Sequence, residues 1–266
     1  MQLKLKIMKI FINADSFKPV AVKTKENLIE ICLNHDIDIV DSIKEADIIF
    51  SIGGDGTFLK TSSLTDKPII GINTGTLGYL TEINPQNIEK ALENILKDNY
   101  YIEKRMMLEG EIIKSSGQTI EIPPALNEIA ISKNAFGVVR FEVLINEKLI
   151  NSYTADGILV CTPTGSTAYN LSCGGPIVDP TANIITLTPI APHTVINRSI
   201  VLSDDSDVEI KISELRENTT CFVLYDGKGI EVSSKDTIKI KKSGKITKII
   251  KLKDISFVDM IRDIIA

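Results

Sequence analysis

Ile48-Ile49-Phe50-Ser51-Ile52-Gly53-Gly54-Asp55-Gly56-Thr57 decides the architecture of this 266-residue chain. The apolar run is short enough for a strand buried on both faces, and the glycines that follow end it sharply. Phe58-Leu59-Lys60 then opens a helical segment, so the turn lies at the carboxyl end of a strand, where open α/β sheets bind their ligands. Glycine there permits close backbone approach and leaves amide groups free to hold a phosphate or a hydroxyl-rich molecule. Asp55, fixed beside those amides, suits taking a proton from a hydroxyl or orienting one through Mg²⁺. Asp-Gly is also one of the commonest turn dipeptides, so the motif by itself leaves a plain strand-to-helix turn open.

Working outward, short apolar runs alternate with helical periodicity. Ile7 to Ile12 reads as a first strand, Val20 to Asn34 as a helix with Leu28, Ile31 and Cys32 on one face, and Ile37 to Val40 and Pro68 to Ile72 as further strands. Asn84 caps a second helix with Pro85 at its first position and an apolar face of Ile88, Leu92, Ile95 and Leu96. This alternation predicts a parallel α/β sheet. After Tyr100 helical periodicity fades, and β-branched runs such as Val138 to Ile145, Gly157 to Cys161, Asp207 to Ile212, Cys221 to Tyr225 and Thr237 to Ile240 take over. The tail from Ser256 to Ile265 returns to a helical stripe of Phe257, Met260, Ile261 and Ile264, expected to pack back on the first domain. The expected organisation is an α/β domain over 1–99, rejoined by a helix over 254–266, and a β-rich domain over 100–253.

Composition narrows the function. A hydrophobic content of 43% supports a proper core, and a net charge of −5 gives no footprint for nucleic acid or an anionic membrane surface. The lysine-interrupted start excludes a signal peptide, and no window approaches a membrane span, so a cytoplasmic protein is expected. Cys32, Cys161, Cys173 and Cys221 form no CxxC pair and read as reduced, buried thiols. Two histidines, His35 and His193, give little support to a histidine metal site or a Ser-His-Asp triad.

A second dense motif is Thr162-Pro163-Thr164-Gly165-Ser166-Thr167-Ala168-Tyr169-Asn170-Leu171-Ser172-Cys173-Gly174-Gly175-Pro176. Its hydroxyls and amides suit ribose, phosphate and a base edge, and Tyr169 adds a ring with a polar tip; the alternative is a capped short helix. The loop Gly71-Ile72-Asn73-Thr74-Gly75-Thr76-Leu77-Gly78-Tyr79 either lines the same crevice or simply connects strand to helix. Asn127, Glu128 and Asp156, polar among strand-like runs, are turn residues or ligand contacts. Neither Gly-x-x-x-x-Gly-Lys-Ser/Thr nor Gly-x-Gly-x-x-Gly occurs, which removes standard P-loop and dinucleotide-fold dehydrogenase readings.

Taken together, Gly53 to Thr57, Asn127-Glu128, Asp156-Gly157 leading into Thr162 to Pro176, Pro189-Ile190-Ala191-Pro192-His193 and the region near Arg198 resemble the NAD kinase family, from the first strand almost to the last helix. The Gly-Gly-Asp-Gly-Thr element alone is similar to motifs of diacylglycerol and sphingosine kinases and phosphofructokinases; the Thr162 to Tyr169 run separates them. The resemblance implies a Rossmann-like parallel α/β domain, an all-β sandwich-like domain, and phosphoryl transfer from ATP or polyphosphate to the adenosine 2′-hydroxyl of NAD. It implies Asp55 as catalytic carboxylate and Gly53, Gly54, Gly56 and Thr57 as the phosphate-donor loop. On the NAD side it implies contacts by Asp55 and Gly56, by Asn127 and Thr164 to the adenine edge, by Glu128 to ribose, by Asp156 and Ala168 to the nicotinamide side, and a lining of Thr167, Ala168, Tyr169, Asn170, Leu171 and Ser172. Lys60, one helical turn beyond Asp55, either offsets phosphate charge or is a solvated side chain. Ala191 and His193 lie near the site or pack in the bulk, and Asp226-Gly227-Lys228-Gly229 is a position near substrate or a hairpin turn.

The same resemblance implies Mg²⁺ or another divalent cation carried mainly by the donor, with no protein-held metal. It also implies a homodimer or homotetramer whose cleft, between domains, is completed by a neighbouring subunit. Tyr153-Thr154-Ala155 departs from the pattern by lacking the basic residue often found before Asp156. The competing readings are a lipid or sugar kinase and a catalytically silent NAD-binding sensor.

Overall fold

The computed structural model describes residues 7–75, 78–81, 83–134, 137–193, 197–215, 219–252 and 261–262. The chain divides into two compact units, Met1–Lys104 with Thr247–Ala266, and Arg105–Ile246.

In the first unit, β1 (Lys9–Ala14), β2 (Asp38–Ile39), β3 (Ile48–Gly53) and β4 (Ile69–Asn73) form a parallel sheet in the order β2-β1-β3-β4. Every residue of β3 and β4 is buried, which is why both read as near-continuous apolar runs rather than alternating ones. Ile48, Phe50 and Ile52 enter a core shared with Ala21, Leu28 and Cys32 of α1 (Pro19–Asn34) and Ile88, Ala91, Leu92 and Ile95 of α3 (Ile88–Leu96). The opposite face carries Ser51 toward α2 (Asp55–Ser62), whose Thr61 hydroxyl lies 3.0 Å from Ser51 Oγ and accepts a 2.8 Å bond from Asn13 Nδ2.

Two local expectations change. Pro85–Asn87 form a 3₁₀ turn before α3, and Asn84 makes no side-chain capping bond. Leu96 is 40% exposed, because the buried stripe of α3 ends at Ile95 and the last turn carries it past the core. The helix expected over 254–266 lies outside the described residues except for Ile261 and Arg262, which are helical.

The second unit is a sandwich. One sheet has the order β12-β11-β10-β7-β14-β15 and is antiparallel throughout, built from β7 (Glu128–Lys133), β10 (Gly157–Cys161), β11 (Ile184–Ile190), β12 (Ile200–Ser203), β14 (Cys221–Tyr225) and β15 (Lys228–Val232). Facing it are β5 (Tyr101–Ile113), β6 (Thr119–Ala125), β8 (Val139–Ile145), β9 (Lys148–Ala155), β13 (Val208–Leu215) and β16 (Thr237–Lys251). Alternate residues meet in one core, with Ile129, Ile131, Ile158, Val160, Ile185 and Leu187 from the first sheet against Val139, Phe141, Val143, Ile210 and Ile238 from the second. Phe141 and Tyr153 stack there with centroids 5.6 Å apart.

β5 and β16 carry the chain across the division between the units: β16 pairs with β13 early and, at Ile249, in parallel with Ile69 of β4. All four cysteines are free, and burial raises each thiol, Cys32 to about 11 and Cys221 to about 12. Among the described residues, no helix is long and apolar enough to cross a membrane.

Candidate functional site

In the first unit the chain leaves β3 at Gly53, and α2 starts at Asp55 itself, earlier than the sequence suggested, with Gly54 as its extended cap residue. An acid in the first helical turn meets the positive end of the helix dipole. Its carboxylate also accepts two backbone bonds from the loop after β4, from Tyr79 N–H at 2.9 Å to Oδ2 and from Leu80 N–H at 3.1 Å to Oδ1. The second glycine loop therefore reaches Asp55. Gly78 is needed for this, since a Cβ there would stand 2.3 Å from Asp55 Oδ1. Burial and the neighbouring Asp55 charge together raise the Tyr79 phenol.

Gly56 is exposed and Gly54 half-buried, while Gly53 is buried against the Thr57 side chain. Lys60 is exposed in the last turn of α2. An ammonium beside the loop is that of Lys18, the residue preceding α1. Its Nζ lies 4.0 Å from where a Cβ would project on Gly54, and equally far from one on Gly75. It pairs loosely with Asp15 at 3.9 Å. Sequence reasoning passed over Lys18 because nothing local ties it to a loop more than thirty residues away.

In the second unit Asn127, Glu128 and Thr164 gather at one end of the six-stranded sheet, whereas Asp156 lies at the opposite end of β10. Asn127 ends a two-residue connection between β6 and β7, and Glu128 begins β7 opposite Cys161 of β10. Thr162, just past β10, locks that connection: its N–H donates to Asn127 O at 2.9 Å and its hydroxyl to Leu126 O at 2.6 Å. Gly165 packs so tightly there that a Cβ would fall 2.2 Å from Asn127 O. Thr164 is buried and its hydroxyl accepts a 3.1 Å bond from Arg105, itself 3% exposed. Glu128 Oε2 is buried with no hydrogen-bond partner, and burial plus the charge of Asp226 raise the Glu128 carboxyl to about 7.

The hydroxyl-dense segment folds as a 3₁₀ turn, Thr164–Thr167, and a single helical turn, α4 (Tyr169–Ser172). Asn170 anchors it to the outer face of the sheet. It is fully buried, its amide donates to Pro176 O at 3.0 Å, and its Oδ1 accepts from Thr188 at 2.8 Å. Ser166 is buried and exchanges bonds with Val178. The flanking Tyr169, Leu171 and Ser172 are exposed, and Thr167 and Ala168 half-buried. The segment is therefore a short helical turn held by two buried side chains, with exposed side chains on the rest of its surface.

Asp156, in the turn between β9 and β10, pairs with Lys133 of β7 at 2.8 Å. Lys133 thus sets a cation beside Asp156, where residues 153–155 supply none. The Tyr169 hydroxyl lies within hydrogen-bonding reach of Ser132 and Cys173, and burial raises it. Ala191, in left-handed backbone at φ 44°, and His193 are both exposed and take no part in the core. A cavity of about 580 Å³ elsewhere in this unit, walled by Glu109, Glu121, Pro123, Glu147, Asp207 and Lys241, contains none of the expected residues.

Comparison with known proteins agrees with both halves of the chain. The model of the ATP-NAD kinase N-terminal domain matches residues 10–100, and that of the ATP-NAD kinase C-terminal domain matches 126–252. An NAD kinase of Caldanaerobacter subterraneus subsp. tengcongensis is 44% identical over 224 residues, 82% of this chain and 78% of that protein. One from Thermoanaerobacter sp. is 42% identical over 228 residues, 84% and 80% of the two chains. Among solved structures, an Archaeoglobus fulgidus NAD kinase in complex with ATP aligns with a TM-score of 0.76 and 25% identity, covering 92% of this chain and 94% of that one. Yeast NADH kinase complexed with NADH shares the fold at a TM-score of 0.88 and 21% identity, covering 97% and 87%. With matched models on either side of residue 105 and relatives above 40% identity over most of its length, the chain belongs to the ATP-NAD kinase family.

Proposed function

We propose that this protein transfers the terminal phosphoryl group of ATP to the 2′-hydroxyl of the adenosine ribose of NAD, giving NADP and ADP. The observation that carries this reading is Asp55: a carboxylate at the end of a buried parallel strand, opening a helix and clamped by two amides, in a chain of this family. Phosphoryl transfer asks little covalent chemistry of a protein and much positioning and charge compensation. Asp55 takes the proton of the 2′-hydroxyl as its oxygen attacks phosphorus and the bond to ADP breaks.

Gly53, Gly54, Gly56 and Thr57 serve the donor phosphates, with Lys18 beside the loop and Lys60 one helical turn beyond Asp55 as cations to offset their charge. NAD is held by Asp55 and Gly56 at the reacting hydroxyl, Asn127 and Thr164 at the adenine edge, Glu128 at the ribose, Asp156 and Ala168 toward nicotinamide, and the segment from Thr167 to Ser172. The exposure of Tyr169, Leu171 and Ser172 beside the anchor of Asn170 supports that assignment, as does the lack of a protein partner for Glu128 Oε2. Asn170 joins the site through its position in that segment, since its own amide is engaged by protein.

The divalent cation, Mg²⁺ in this reading, arrives as part of the ATP complex, where it neutralises phosphate charge. Among the described residues no three His, Cys, Asp or Glu side chains stand together to hold an ion independently. Family resemblance also supports a cytoplasmic homodimer or homotetramer, which light scattering on the purified protein measures directly. The deciding experiment mixes protein, NAD, ATP and Mg²⁺ and follows NADP, with polyphosphate replacing ATP and NADH replacing NAD in parallel. No NADP from any donor overturns the reading; product from polyphosphate alone overturns the choice of ATP.

A further inference from the structure

The turn joining β14 to β15 contains two residues, Asp226 and Gly227, with Tyr225 paired to Lys228 across it. Both turn residues have positive φ, 44° and 79°, the type I′ geometry for which Asn-Gly serves as well as Asp-Gly. The turn alone therefore does not require a carboxylate. It is moreover a costly place for one, since burial raises the Asp226 carboxyl and the buried carboxyl of Glu128 lies nearby.

What a carboxylate does here that an amide cannot is accept on both oxygens. Leu126 N–H donates to Oδ2 at 2.7 Å and Asn127 N–H to Oδ1 at 2.9 Å, with the Glu128 N–H also bonding to it. An asparagine would turn a donor toward one of these amides. Residues 126 and 127 lie between β6 and β7, so their N–H groups have no ladder partner, and Asp226 supplies one. On the other side Thr162 holds the carbonyls of Leu126 and Asn127. The connection is thus gripped from both edges, and none of these bonds uses the side chain of Asn127 or Glu128.

We propose that Asp226 is a positioning residue for the dinucleotide: from the hairpin turn its carboxylate fixes the backbone at 126–128 and so aims the Asn127 and Glu128 side chains at NAD. This rests on the assignment of those two residues to NAD given above. Around Glu128, the titratable and charged groups are Asp226 of the turn, Cys161 of β10 and Cys173 after α4, with Lys228 of β15 partly offsetting Asp226. Asp226 thus also disfavours ionisation of Glu128.

The test compares wild-type protein with Asp226→Asn, Asp226→Glu and Glu128→Gln, measuring kcat, KM for NAD and KM for ATP between pH 6 and 9, together with Tm. Asp226→Asn should raise KM for NAD about tenfold, the scale of one lost charge-assisted hydrogen bond, with KM for ATP unchanged. It should also move the pH midpoint of KM for NAD downward, a shift that a purely structural role would not produce. Asp226→Glu keeps the charge but advances the oxygens by one methylene; it should raise KM for NAD while leaving the midpoint in place, and it carries the test if the asparagine variant does not fold. Unchanged KM for NAD in either folded variant, while Glu128→Gln raises it, overturns this inference alone. Unchanged KM for NAD in Glu128→Gln overturns the underlying assignment of Glu128.

Discussion

The loop at Gly53–Thr57 and the segment at Thr162–Ser172 each follow a strand with every residue buried, β3 and β10, yet they hold their functional groups in opposite ways. In the first, the carboxylate proposed to react is itself what the protein grips: Asp55 is bonded by backbone amides from residues 24 and 25 positions later. In the second, the grip and the presentation fall on different residues, with Ser166 and Asn170 buried and bonded while Tyr169, Leu171 and Ser172 face outward. A position that needs fixed charge binds the charge directly. The later segment, proposed to meet the dinucleotide, is anchored at Ser166 and Asn170 and left open at the residues between and beyond them.

This contrast breaks most visibly at Asp55. Asp55→Asn removes the base and turns a donor toward one of the two clamping amides, so kcat should fall on the order of 10²-fold or more and Tm should drop by a few degrees in a protein that still folds. Near-normal turnover in that variant would show that the gripped carboxylate is structural after all.

Glu128 sharpens the comparison from the other side, because it is a carboxyl the protein buries without giving Oε2 a partner. Its proton leaves the unfolded chain near 4.5 and the folded protein near 7. Between those values the folded state holds more protons, so stability must fall as pH rises through that window and stay lower above it. The loss is about 3 kcal/mol by the usual conversion of pKa into free energy. Denaturant titrations at pH 4, 6 and 8 should show Glu128→Gln escaping that decline; parallel curves for the two proteins would contradict it.

At the anchor the expected effect is on stability. Asn170→Ala removes the amide shared by Pro176 and Thr188 and leaves buried polar groups unpaired, a loss of about 2 kcal/mol. The reduced Tm should come with loss of NAD affinity but little change in KM for ATP. A variant with wild-type Tm would mean that the segment is held by its backbone alone. The smallest effect belongs to Tyr169→Phe, which deletes one partly exposed hydroxyl beside Ser132 and Cys173. Stability should move by about 0.5 kcal/mol or less, and KM for NAD by about fivefold at most, one neutral hydrogen bond. A larger shift in KM would transfer weight from the anchor to the ring's polar tip.

Much of the fold was legible because burial leaves its period in a sequence. The near-continuous apolar run at Ile48–Ile52 fits an element buried on both faces, and Val139, Phe141 and Val143 alternate because one face of β8 meets the core. Leu96 misled because helical spacing names a stripe without saying where the neighbouring layer stops. Within the site, Gly54-Asp55-Gly56 and Thr164 to Ser172 stood out by local density of small and polar residues. Lys18, Arg105 and Lys133 did not, since each meets its partner across the fold and looks ordinary among its own neighbours, and Asp226, marked as near substrate or in a hairpin turn, gave no sign that it grips residues about a hundred positions earlier.

The amino-acid order by itself determined the class of each region, the glycine-bounded carboxylate and the hydroxyl-rich segment, because periodicity, turn chemistry and motif spacing are local properties. Tertiary structure alone decided that the loop after β4 clamps Asp55, that Lys133 answers Asp156, and that a hairpin carboxylate grips the backbone of Asn127 and Glu128. Those are meetings of distant segments, and strand register rather than local composition sets which side chains arrive together.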